Sequence, residues 1–293
     1  MHKIPEACEG ADQERMMSRN WFITGTSSGF GRIMTECLLE RGDTVFATLR
    51  KPDMLHDLQA GSQGRLYLAA LDVTDTDMVR QVVDQAFAVL GRIDVIVSNA
   101  GYGLFGAAEE VSDAQIRQQL DTNILGSITV VRAALPHLRA QGGGRILQLS
   151  SMGGQIAFPG LGLYHASKWA IEGFFESLIQ EVASFGIEAT LIEPGAARTQ
   201  FGRGSVVMAE PLDAYQTVPF SARRSVLAQD SYTPVGDPEK MVREMIASVD
   251  VSPAPLRLAL GSDAYRLIHE ALTERLEQLE AQKAIALSTD ASP

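Results

Sequence analysis

The stretch TGTSSGFG, residues 24–31, joins a short apolar run to a segment with the apolar spacing of a helix. Gly25 allows a tight turn there, and Gly29 and Gly31 let backbone approach a ligand and let the helix pack on a sheet. The first turn of such a helix offers free N–H groups and a positive dipole end to a pyrophosphate. The spacing G-x-x-x-G-x-G differs from the commoner G-x-G-x-x-G, and a glycine-rich turn without a ligand is the alternative interpretation.

Short runs rich in Val, Ile and Leu alternate with helical patterns along the rest of the chain. The predicted strands are 21–24, 44–49, 65–73, 94–100, 144–151, 187–194 and 256–260. The predicted helices are 29–42, 53–60, 75–90, 113–140, 164–185, 237–249 and 263–283. Such alternation predicts a single-domain Rossmann fold of the α/β class, a doubly wound parallel sheet of about seven strands with helices on both faces.

The domain boundaries follow from where these patterns begin and end. Residues 1–16 are predicted to be a flexible leader, 17–284 the catalytic domain and 285–293 a flexible tail. Within the domain, residues 196–236 contain several glycines and prolines and have no clear period. A loop of that length in a compact domain is often functional, so we expect it to be a substrate loop or lid.

Composition excludes several classes of protein. The chain is 45% hydrophobic and 21% charged with a formal net charge of −11, and no run of Lys or Arg favours nucleic-acid binding. No stretch approaches the ~20 apolar residues of a membrane span. The N-terminal residues lack the apolar centre of a signal peptide, and the two cysteines, Cys8 and Cys37, do not resemble a disulfide framework or a metal site. We therefore expect a cytoplasmic protein with no metal.

The end of the second predicted strand bears on the choice of dinucleotide. It reads ATLRK, residues 47–51, with two cations and no acid. An acid at this point holds the ribose hydroxyls of NAD, whereas a cation suits the 2′-phosphate of NADP. Since a guanidinium binds phosphate in a bidentate way, Arg50 favours NADP, with NAD as the alternative cofactor. The alternative for Arg50 is that it faces water.

The sequence YHASK, residues 164–168, places a tyrosine and a lysine one helical turn apart on the same face. Moving the phenol of Tyr164 from a pKa of ~10 to about 7 requires roughly 4 kcal/mol. An ammonium ~4 Å away contributes on the order of 4 kcal/mol at an effective dielectric constant near 20. Lys168 is therefore close enough to lower the pKa of the phenol, although such a pair on its own is usually a surface contact.

Taken together, the motifs resemble the short-chain dehydrogenase/reductase family over roughly residues 18–200. The turn matches its TGxxxGxG pattern, with Phe30 in place of the usual isoleucine or leucine. SNAG at 98–101 matches NNAG with one departure, Ser98. The other matching residues, in the expected order, are Asp72 and Val73 of LDVTD, Asn123, Ser151, Tyr164 and Lys168 of YxxxK, Pro194 and Gly195, and Thr199. A weaker resemblance is to NADP-preferring members related to hydroxysteroid and retinol dehydrogenases.

The resemblance implies hydride transfer between a nicotinamide and a carbonyl or alcohol carbon. Within it, Tyr164 is the general acid and base, Lys168 lowers the pKa of Tyr164 and holds the nicotinamide ribose, and Ser151 donates a hydrogen bond to the substrate oxygen. Asn123 is expected to hold a water that links Lys168 to solvent. The predicted cofactor-binding residues are Gly25, Ser27, Ser28, Gly29, Phe30, Gly31, Arg50, Asp72, Val73, Asn99, Ala100, Gly101, Tyr164, Lys168, Pro194, Gly195, Ala197 and Thr199.

Apolar residues are expected around the nicotinamide, because ligands of open parallel sheets lie outside the carboxyl ends of the strands. The predicted substrate-binding residues are Leu104, Phe105, Phe158, Leu161 and Phe201. They indicate a small hydrophobic ketone, aldehyde or alcohol, unless they only pack the lid on the domain. A homodimer or homotetramer is expected from the resemblance. The alternative function is a non-catalytic NADP(H)-binding sensor, against which the retained Tyr164 and Lys168 both argue.

Overall fold

The computed structural model describes residues 18–199, 206–222, 224 and 233–291. Its strands are β1 (Asn20–Thr24), β2 (Thr44–Leu49), β3 (Leu66–Ala70), β4 (Val95–Ser98), β5 (Gly103–Phe105), β6 (Gly144–Leu149), β7 (Ile187–Pro194), β8 (Val206–Met208) and β9 (Arg257–Leu260). Seven of them form one parallel sheet in the order β3-β2-β1-β4-β6-β7-β9. The predicted doubly wound parallel sheet is confirmed.

The helices of the described residues connect these strands. They are α1 (Gly29–Arg41), α2 (His56–Gly61), α3 (Thr76–Leu90), α4 (Asp113–Leu120), α5 (Ser127–Ala140), α6 (Gly162–Val182), α7 (Pro238–Ala247), α8 (Ser262–Ala281) and α9 (Lys283–Leu287). Helix α3 begins where the sequence predicts, because the Asp75 carboxylate accepts from the backbone N–H groups of Asp77 and Met78. Helix α4 is capped one residue earlier than Asp113, by a capping box of Ser112 and Gln115.

The sheet is buried on both faces, as its runs of successive apolar residues predict. Phe22 and Phe46 belong to the core that packs against α3, α5 and α6. Trp21, Ile23 and Val45, which alternate with them, belong to the core that packs against α1 and α7. The strand order reverses at β1, which pairs with β2 on one side and β4 on the other. A crevice at the carboxyl ends of β1 and β4 is where such sheets bind ligands.

Two local features differ from the prediction. The expected helix 113–140 is interrupted by a π-helical turn, Asp121–Gly126, between α4 and α5. At this turn Gly126 lies so close to the loop after β3 that a Cβ would be 2.9 Å from Val73 Cγ2. The sequence did not predict strands β5 and β8, because three residues give too short a pattern to detect. The two strands pair in parallel as a separate small sheet.

The ends of the chain add one difference. Helix α9 includes residues 285–287, which the sequence assigned to a flexible tail, whereas the predicted leader lies outside the described residues. Over the described part of the chain, no helix has the length and apolar character needed to cross a membrane. The same residues contain no group of three or more His, Cys, Asp or Glu side chains suited to a metal ion.

Candidate active site

The glycine-rich turn is fixed by hydrogen bonds from the segment that follows β4. Thr24 Oγ1 accepts from the backbone N–H groups of Asn99 at 3.0 Å and Ala100 at 3.1 Å. In return, Asn99 Nδ2 donates to the carbonyl oxygens of Thr24 at 2.8 Å and Gly25 at 3.0 Å. The two motifs that the sequence places 70 residues apart therefore form one rigid unit at the switch point of the sheet.

Two glycines of the turn leave no room for a side chain. Gly25 has a φ of +71°, and a Cβ there would lie 2.8 Å from Ala100 Cα. A Cβ on Gly31 would lie 2.4 Å from the carbonyl oxygen of Gly25. The turn thus needs glycine for its conformation at one position and for close backbone approach at the other.

The first turn of α1 is suited to a phosphate group. Ser28, at the N-cap, makes no side-chain hydrogen bond to the N-terminal N–H groups, and the first turn contains no acid. These N–H donors and the dipole of the helix therefore point toward a cavity of about 1230 Å³ at the carboxyl ends of the strands. Exposed Arg50, which follows β2, lines the same cavity. This donor set, with a cation beyond the helix N-terminus, fits a dinucleotide with a further phosphate.

The cavity brings together almost all the predicted cofactor-binding residues. Gly31 is the exception, because it lies beneath the turn against Gly25 and Asn99. The predicted residues that line it are Gly25, Ser27, Ser28, Gly29, Phe30, Arg50, Asp72, Val73, Asn99, Ala100, Gly101, Tyr164, Lys168, Pro194, Gly195, Ala197 and Thr199. Of the predicted catalytic residues Ser151, Tyr164 and Lys168 line it, whereas Asn123 does not.

Asn123 lies in the π-helical turn and is only 2% exposed. Its Oδ1 accepts from the Tyr102 N–H at 3.1 Å, and its Nδ2 donates to the Tyr102 carbonyl at 3.0 Å and to Ser167 Oγ at 3.1 Å. The side chain is therefore occupied in holding the Tyr102 backbone against α6. That arrangement gives Asn123 a structural task besides the water-holding role that the family resemblance implies.

Lys168 extends from α6 to the end of β6, and its side chain is buried. Its Nζ donates to the Leu149 carbonyl at 2.8 Å and lies 5.8 Å from the centroid of the Tyr164 ring. Burial lowers the pKa of Lys168 from 10.5 to about 8, because the ammonium loses its hydration, and the charge of Glu172 opposes this shift. Near neutral pH the group still carries most of its charge.

Tyr164 is buried as well, and its environment differs from the prediction. Burial raises the pKa of Tyr164 to about 12, and a hydrogen bond with Ser151 acts in the opposite direction. In the protein alone, the effect of burial on the pKa of Tyr164 therefore outweighs the expected lowering. The physical reason is that burial disfavours the charged forms of both groups, the phenolate of Tyr164 and the ammonium of Lys168 that was expected to stabilise it.

Ser151 is positioned by the loop after β6. Its Oγ accepts from the Gly153 N–H at 3.0 Å, which fixes the side chain at the start of a 3-10 turn over Met152–Gly154. The same side chain hydrogen-bonds Tyr164. Two hydroxyl groups therefore meet at one point of the cavity wall, with the ammonium of Lys168 behind them. Such a cluster can donate a proton and a hydrogen bond to one ligand oxygen.

Comparison with known proteins settles the family. A family model described as short chain dehydrogenase matches residues 19–207, well over half of the chain. The chain belongs to the short-chain dehydrogenase family. It is accordingly an oxidoreductase, and the family resemblance inferred from its motifs is confirmed.

Relatives of this dehydrogenase support the same conclusion. It is 40% identical over 249 residues to a protein named Oxidoreductase BOA17 of Botryotinia fuckeliana, covering 85% of this chain and 90% of the relative. A crystal structure of a short-chain dehydrogenase from Streptomyces avermitilis has 37% identity and a TM-score of 0.86, covering 93% of this chain and all of the other. A structure titled ElxO with NADP bound shares the fold at 21% identity and a TM-score of 0.69, covering 83% of this chain and 97% of that one.

The substrate side of the dehydrogenase agrees only partly with the sequence prediction. Phe158 and Leu161, from the loop before α6, line the cavity. Leu104 and Phe105 of β5 do not: both are fully buried, Leu104 among Val111 and Ala209 and Phe105 beside Phe220. Their apolar character serves the packing of the small β5–β8 sheet, so the structure does not support their assignment as substrate-binding residues. The fifth predicted residue, Phe201, lies outside the described residues.

Sequence reasoning assigned no role at the site to the start of helix α8. Asp263, Arg266 and Leu267 line the cavity. Asp263 Oδ2 accepts from the Ala196 N–H at 2.8 Å, and a Cβ on Gly195 would lie 2.1 Å from Asp263 Oδ1. Their place in the chain could have indicated these residues. Helix α8 follows β9, and the carboxyl ends of parallel strands lie at the same edge of the sheet.

His165 holds the loop that carries Phe158. Its Nε2 accepts from the Phe158 N–H at 2.9 Å, while Nδ1 lies 3.0 Å from the Gly153 carbonyl oxygen. Since a carbonyl oxygen only accepts, these two contacts place the proton of the neutral ring on Nδ1. The imidazole thus bridges both ends of the loop on the cavity side of Tyr164.

Proposed function

We propose that this dehydrogenase uses NADP(H) to interconvert a hydrophobic ketone or aldehyde and its alcohol, with Tyr164 as the general acid and base. The observation that carries the proposal is the meeting of Tyr164, Ser151 and Lys168 in the wall of the cavity that the glycine-rich turn also lines. A proton donor thereby faces the space that runs from the N-terminus of α1.

NADP is favoured as the cofactor by the residues around the end of β2. Arg50 lines the cavity there, and neither residue 50 nor residue 51 is an acid. The chain would hold the pyrophosphate at the first turn of α1 and the additional phosphate at Arg50. When bound, NADPH supplies the hydride, and the protein supplies position and a proton. Two proteins of the same fold have NADP or 5-hydroxy-NADP in the titles of their structures.

The chain's own part in the reaction is to deliver a proton to the substrate oxygen. With a pKa of about 12, the phenol of Tyr164 stays protonated at neutral pH, which suits the reduction of a carbonyl group. Ser151 donates a hydrogen bond to the same oxygen as negative charge develops on it. The ammonium of Lys168 stabilises the phenolate that remains after the proton has left.

An apolar substrate is favoured by the walls beyond Tyr164. Phe158, Leu161 and Leu267 line this end, together with Val206 and Val207 of β8. The neighbouring cation Arg266 is 61% exposed in its side chain and pairs with Glu270, so it is poorly placed to fix an anionic substrate. One relative, 40% identical over 179 residues, is named 3-ketodihydrosphingosine reductase, a name that denotes a ketone with a long apolar part.

The test is to mix the full chain with NADPH and a panel of apolar ketones and aldehydes and to follow the absorbance of the reduced nicotinamide. The expected result is substrate-dependent oxidation of NADPH that is faster than oxidation of NADH. Tight NADPH binding without turnover on any carbonyl compound, or on the matching alcohols with NADP, would replace this proposal by a cofactor-binding role without catalysis.

We also propose that the dehydrogenase forms a homodimer or homotetramer through the helices around α5 and α6. Leu125, beside α5, is an apolar side chain 51% exposed on this side of the chain. Sedimentation of the full chain tests the assembly, and replacing Leu125 with Glu is expected to weaken it. A chain that sediments as a monomer at micromolar concentration contradicts it. A cytoplasmic location stays a prediction.

A further inference from the structure

Helix α6 carries a second buried charge one turn beyond the active-site lysine. Glu172 follows Lys168 at i+4, so the two side chains lie on the same face of the helix. Lys168 is 8% exposed and Glu172 is 5% exposed. An ionised carboxyl in such a position is costly unless a cation or hydrogen bonds compensate for its lost hydration.

The carboxylate of Glu172 lies at the same strand end as the ammonium of Lys168. A Cβ on Gly154 would be 2.8 Å from both Glu172 Oε1 and Ser150 Oγ, so these two oxygens lie near the same point. Ser150 directly follows Leu149, whose carbonyl accepts from Lys168 Nζ. Glu172 is also the charge that opposes the effect of burial on the pKa of Lys168. Carboxylate and ammonium thus both lie near the end of β6.

The opposite side of Glu172 meets a guanidinium and a second buried acid. Arg257 Nε lies 3.0 Å from Glu172 Oε2 and 3.1 Å from Glu193 Oε1. Gln155 Nε2 donates to Glu193 Oε1 at 3.2 Å, and the exposed carboxylate of Glu176 takes the outer side of Arg257. The charged and titratable groups that face Glu172 are therefore Lys168 and Glu176 from α6, Glu193 from β7 and Arg257 from β9.

The second acid of this cluster, Glu193, is shifted by its surroundings. Burial and the neighbouring carboxylate of Glu172 raise the pKa of Glu193 to about 7. Two buried carboxyl groups that share one guanidinium cannot both ionise without cost. Glu193 therefore releases its proton at a higher pH than an exposed carboxyl group does.

We propose that Glu172 is a positioning residue that acts through Lys168: its buried carboxylate, on the same face of α6, stabilises the charge of the buried ammonium. Glu172 lines no part of the described cavity and does not itself meet a ligand. The catalytic consequence rests on the proposed function, in which the charged Lys168 acts on Tyr164.

The titration of Lys168 can be measured directly, without substrate. The chain has five lysines, Lys3, Lys51, Lys168, Lys240 and Lys283, so its lysine ¹³Cε NMR spectrum is simple, and loss of one signal in Lys168→Arg assigns the residue. In the wild type the Lys168 signal is expected to titrate at about pH 8. Glu172→Gln is expected to lower this midpoint by about 1 pH unit or more, because removing a close opposite charge favours the neutral amine.

Glu193→Gln and Glu176→Gln are the matched controls. Each makes the same chemical change beside the same Arg257, and Glu193 is as deeply buried as Glu172. Both are expected to leave the Lys168 midpoint within about 0.3 pH unit of the wild type, since Glu172 is the carboxylate whose charge acts on Lys168. Equal shifts in Glu172→Gln and Glu193→Gln, or none in Glu172→Gln, overturn the proposal.

A second variant covers the case in which Glu172→Gln does not fold. Glu172→Asp keeps the charge but withdraws it by one methylene, so a smaller downward shift of the Lys168 midpoint is expected. An unchanged midpoint in that variant counts against the proposal. Because these titrations need no turnover, an inactive wild type would refute the proposed function and leave this result standing. If turnover is found, its alkaline limit should move with the NMR midpoint.

Discussion

At the glycine-turn end of the cavity, residues 24–31 and 98–101 hold each other through close glycine contacts and through hydrogen bonds from the side chains of Thr24 and Asn99 to the backbone. At the substrate end, which comprises Phe158, Leu161, His165, Asp263 and Leu267, side chains from the β6–α6 loop and α8 meet instead. The first end depends on backbone shape that contiguous motifs specify. The second depends on side chains that lie about 100 residues apart in the sequence.

The difference assigns different tasks to the two ends. Backbone N–H groups and a helix dipole are suited to phosphate. The phosphates belong to the cofactor, which is the same whichever substrate reacts. Side-chain walls recognise shape and apolar surface, which vary from one carbonyl compound to another. Changes at the glycine-turn end should therefore alter cofactor binding for all substrates, and changes at the substrate end should alter substrate affinity alone.

The largest effect is expected where the two ends meet. Tyr164→Phe removes the proton donor but keeps the ring, which is buried between Ser151 and Lys168. We expect kcat to fall by about 10²–10⁴-fold, the usual contribution of a general acid. Steady-state oxidation of NADPH measures the loss, and titration of NADPH fluorescence should give a Kd close to that of the wild type.

Ser151→Ala is the companion to that variant. It removes a hydrogen bond to the substrate oxygen but leaves the proton donor, so its loss should be smaller than that of Tyr164→Phe. A Tyr164→Phe enzyme with near-normal turnover would show that the proton comes from another group. Tyr164 would then not be the residue at which the two ends of the cavity act together.

Arg50→Ala tests the glycine-turn end. A charge-assisted hydrogen-bonded pair is worth about 1.5–3 kcal/mol, so the Kd for NADPH should rise by roughly 10–150-fold. The Kd for NADH should change little, because NADH lacks the 2′-phosphate. Calorimetric titration with both cofactors measures the two values. Lys51→Ala is the control on the adjacent cation, and equal losses for NADPH and NADH in Arg50→Ala would remove Arg50 from the phosphate site.

The pH dependence sharpens the role of the lysine that lies between the two ends. The folded-state pKa of Lys168 is lowered to about 8, so the ammonium is present below this pH and is lost above it. Since that charge is proposed to stabilise the phenolate left on Tyr164, the rate of carbonyl reduction should be constant below about pH 8. It should fall by up to about tenfold per pH unit above it. A plateau that extends beyond pH 10 contradicts this assignment.

The glycine-turn end could be predicted from sequence almost completely. The turn, the SNAG segment and Arg50 each follow a recognisable buried strand, and parallel strands bring their carboxyl ends to one edge. The seven strands of the main sheet were predicted for the same reason, since strands covered on both faces give continuous apolar runs. The order of the motifs thus carried the prediction, and each motif alone is common.

The substrate end could not be predicted to the same depth. Leu104 and Phe105 were predicted to bind substrate but do not line the described cavity, because an apolar residue near a site has the same sequence signature whether it lines a cavity or packs beneath it. The raised pKa of Tyr164 was missed because burial acts on the phenol through the fold, whereas the spacing to Lys168 is local. The sequence did not indicate roles for Arg257 of the edge strand β9 or Asp263 of α8, because both lie far from any motif.

The smallest expected effect comes from His165, which supports the loop at the substrate end. Its ring bonds the Phe158 N–H through Nε2 and the Gly153 carbonyl through Nδ1, so it ties the two ends of the loop together. His165→Gln retains at most one of these bonds at a time. The lost bond is worth about 1 kcal/mol, which corresponds to a rise of roughly fivefold in KM for an apolar ketone.

His269→Gln, on the exposed face of α8, is the matched control and should change nothing. Because this loop is proposed to contact the substrate and not the phosphates, the Kd for NADPH should stay constant in His165→Gln. A variant in which NADPH affinity falls together with substrate affinity would mean that the two ends of the cavity are coupled through this loop.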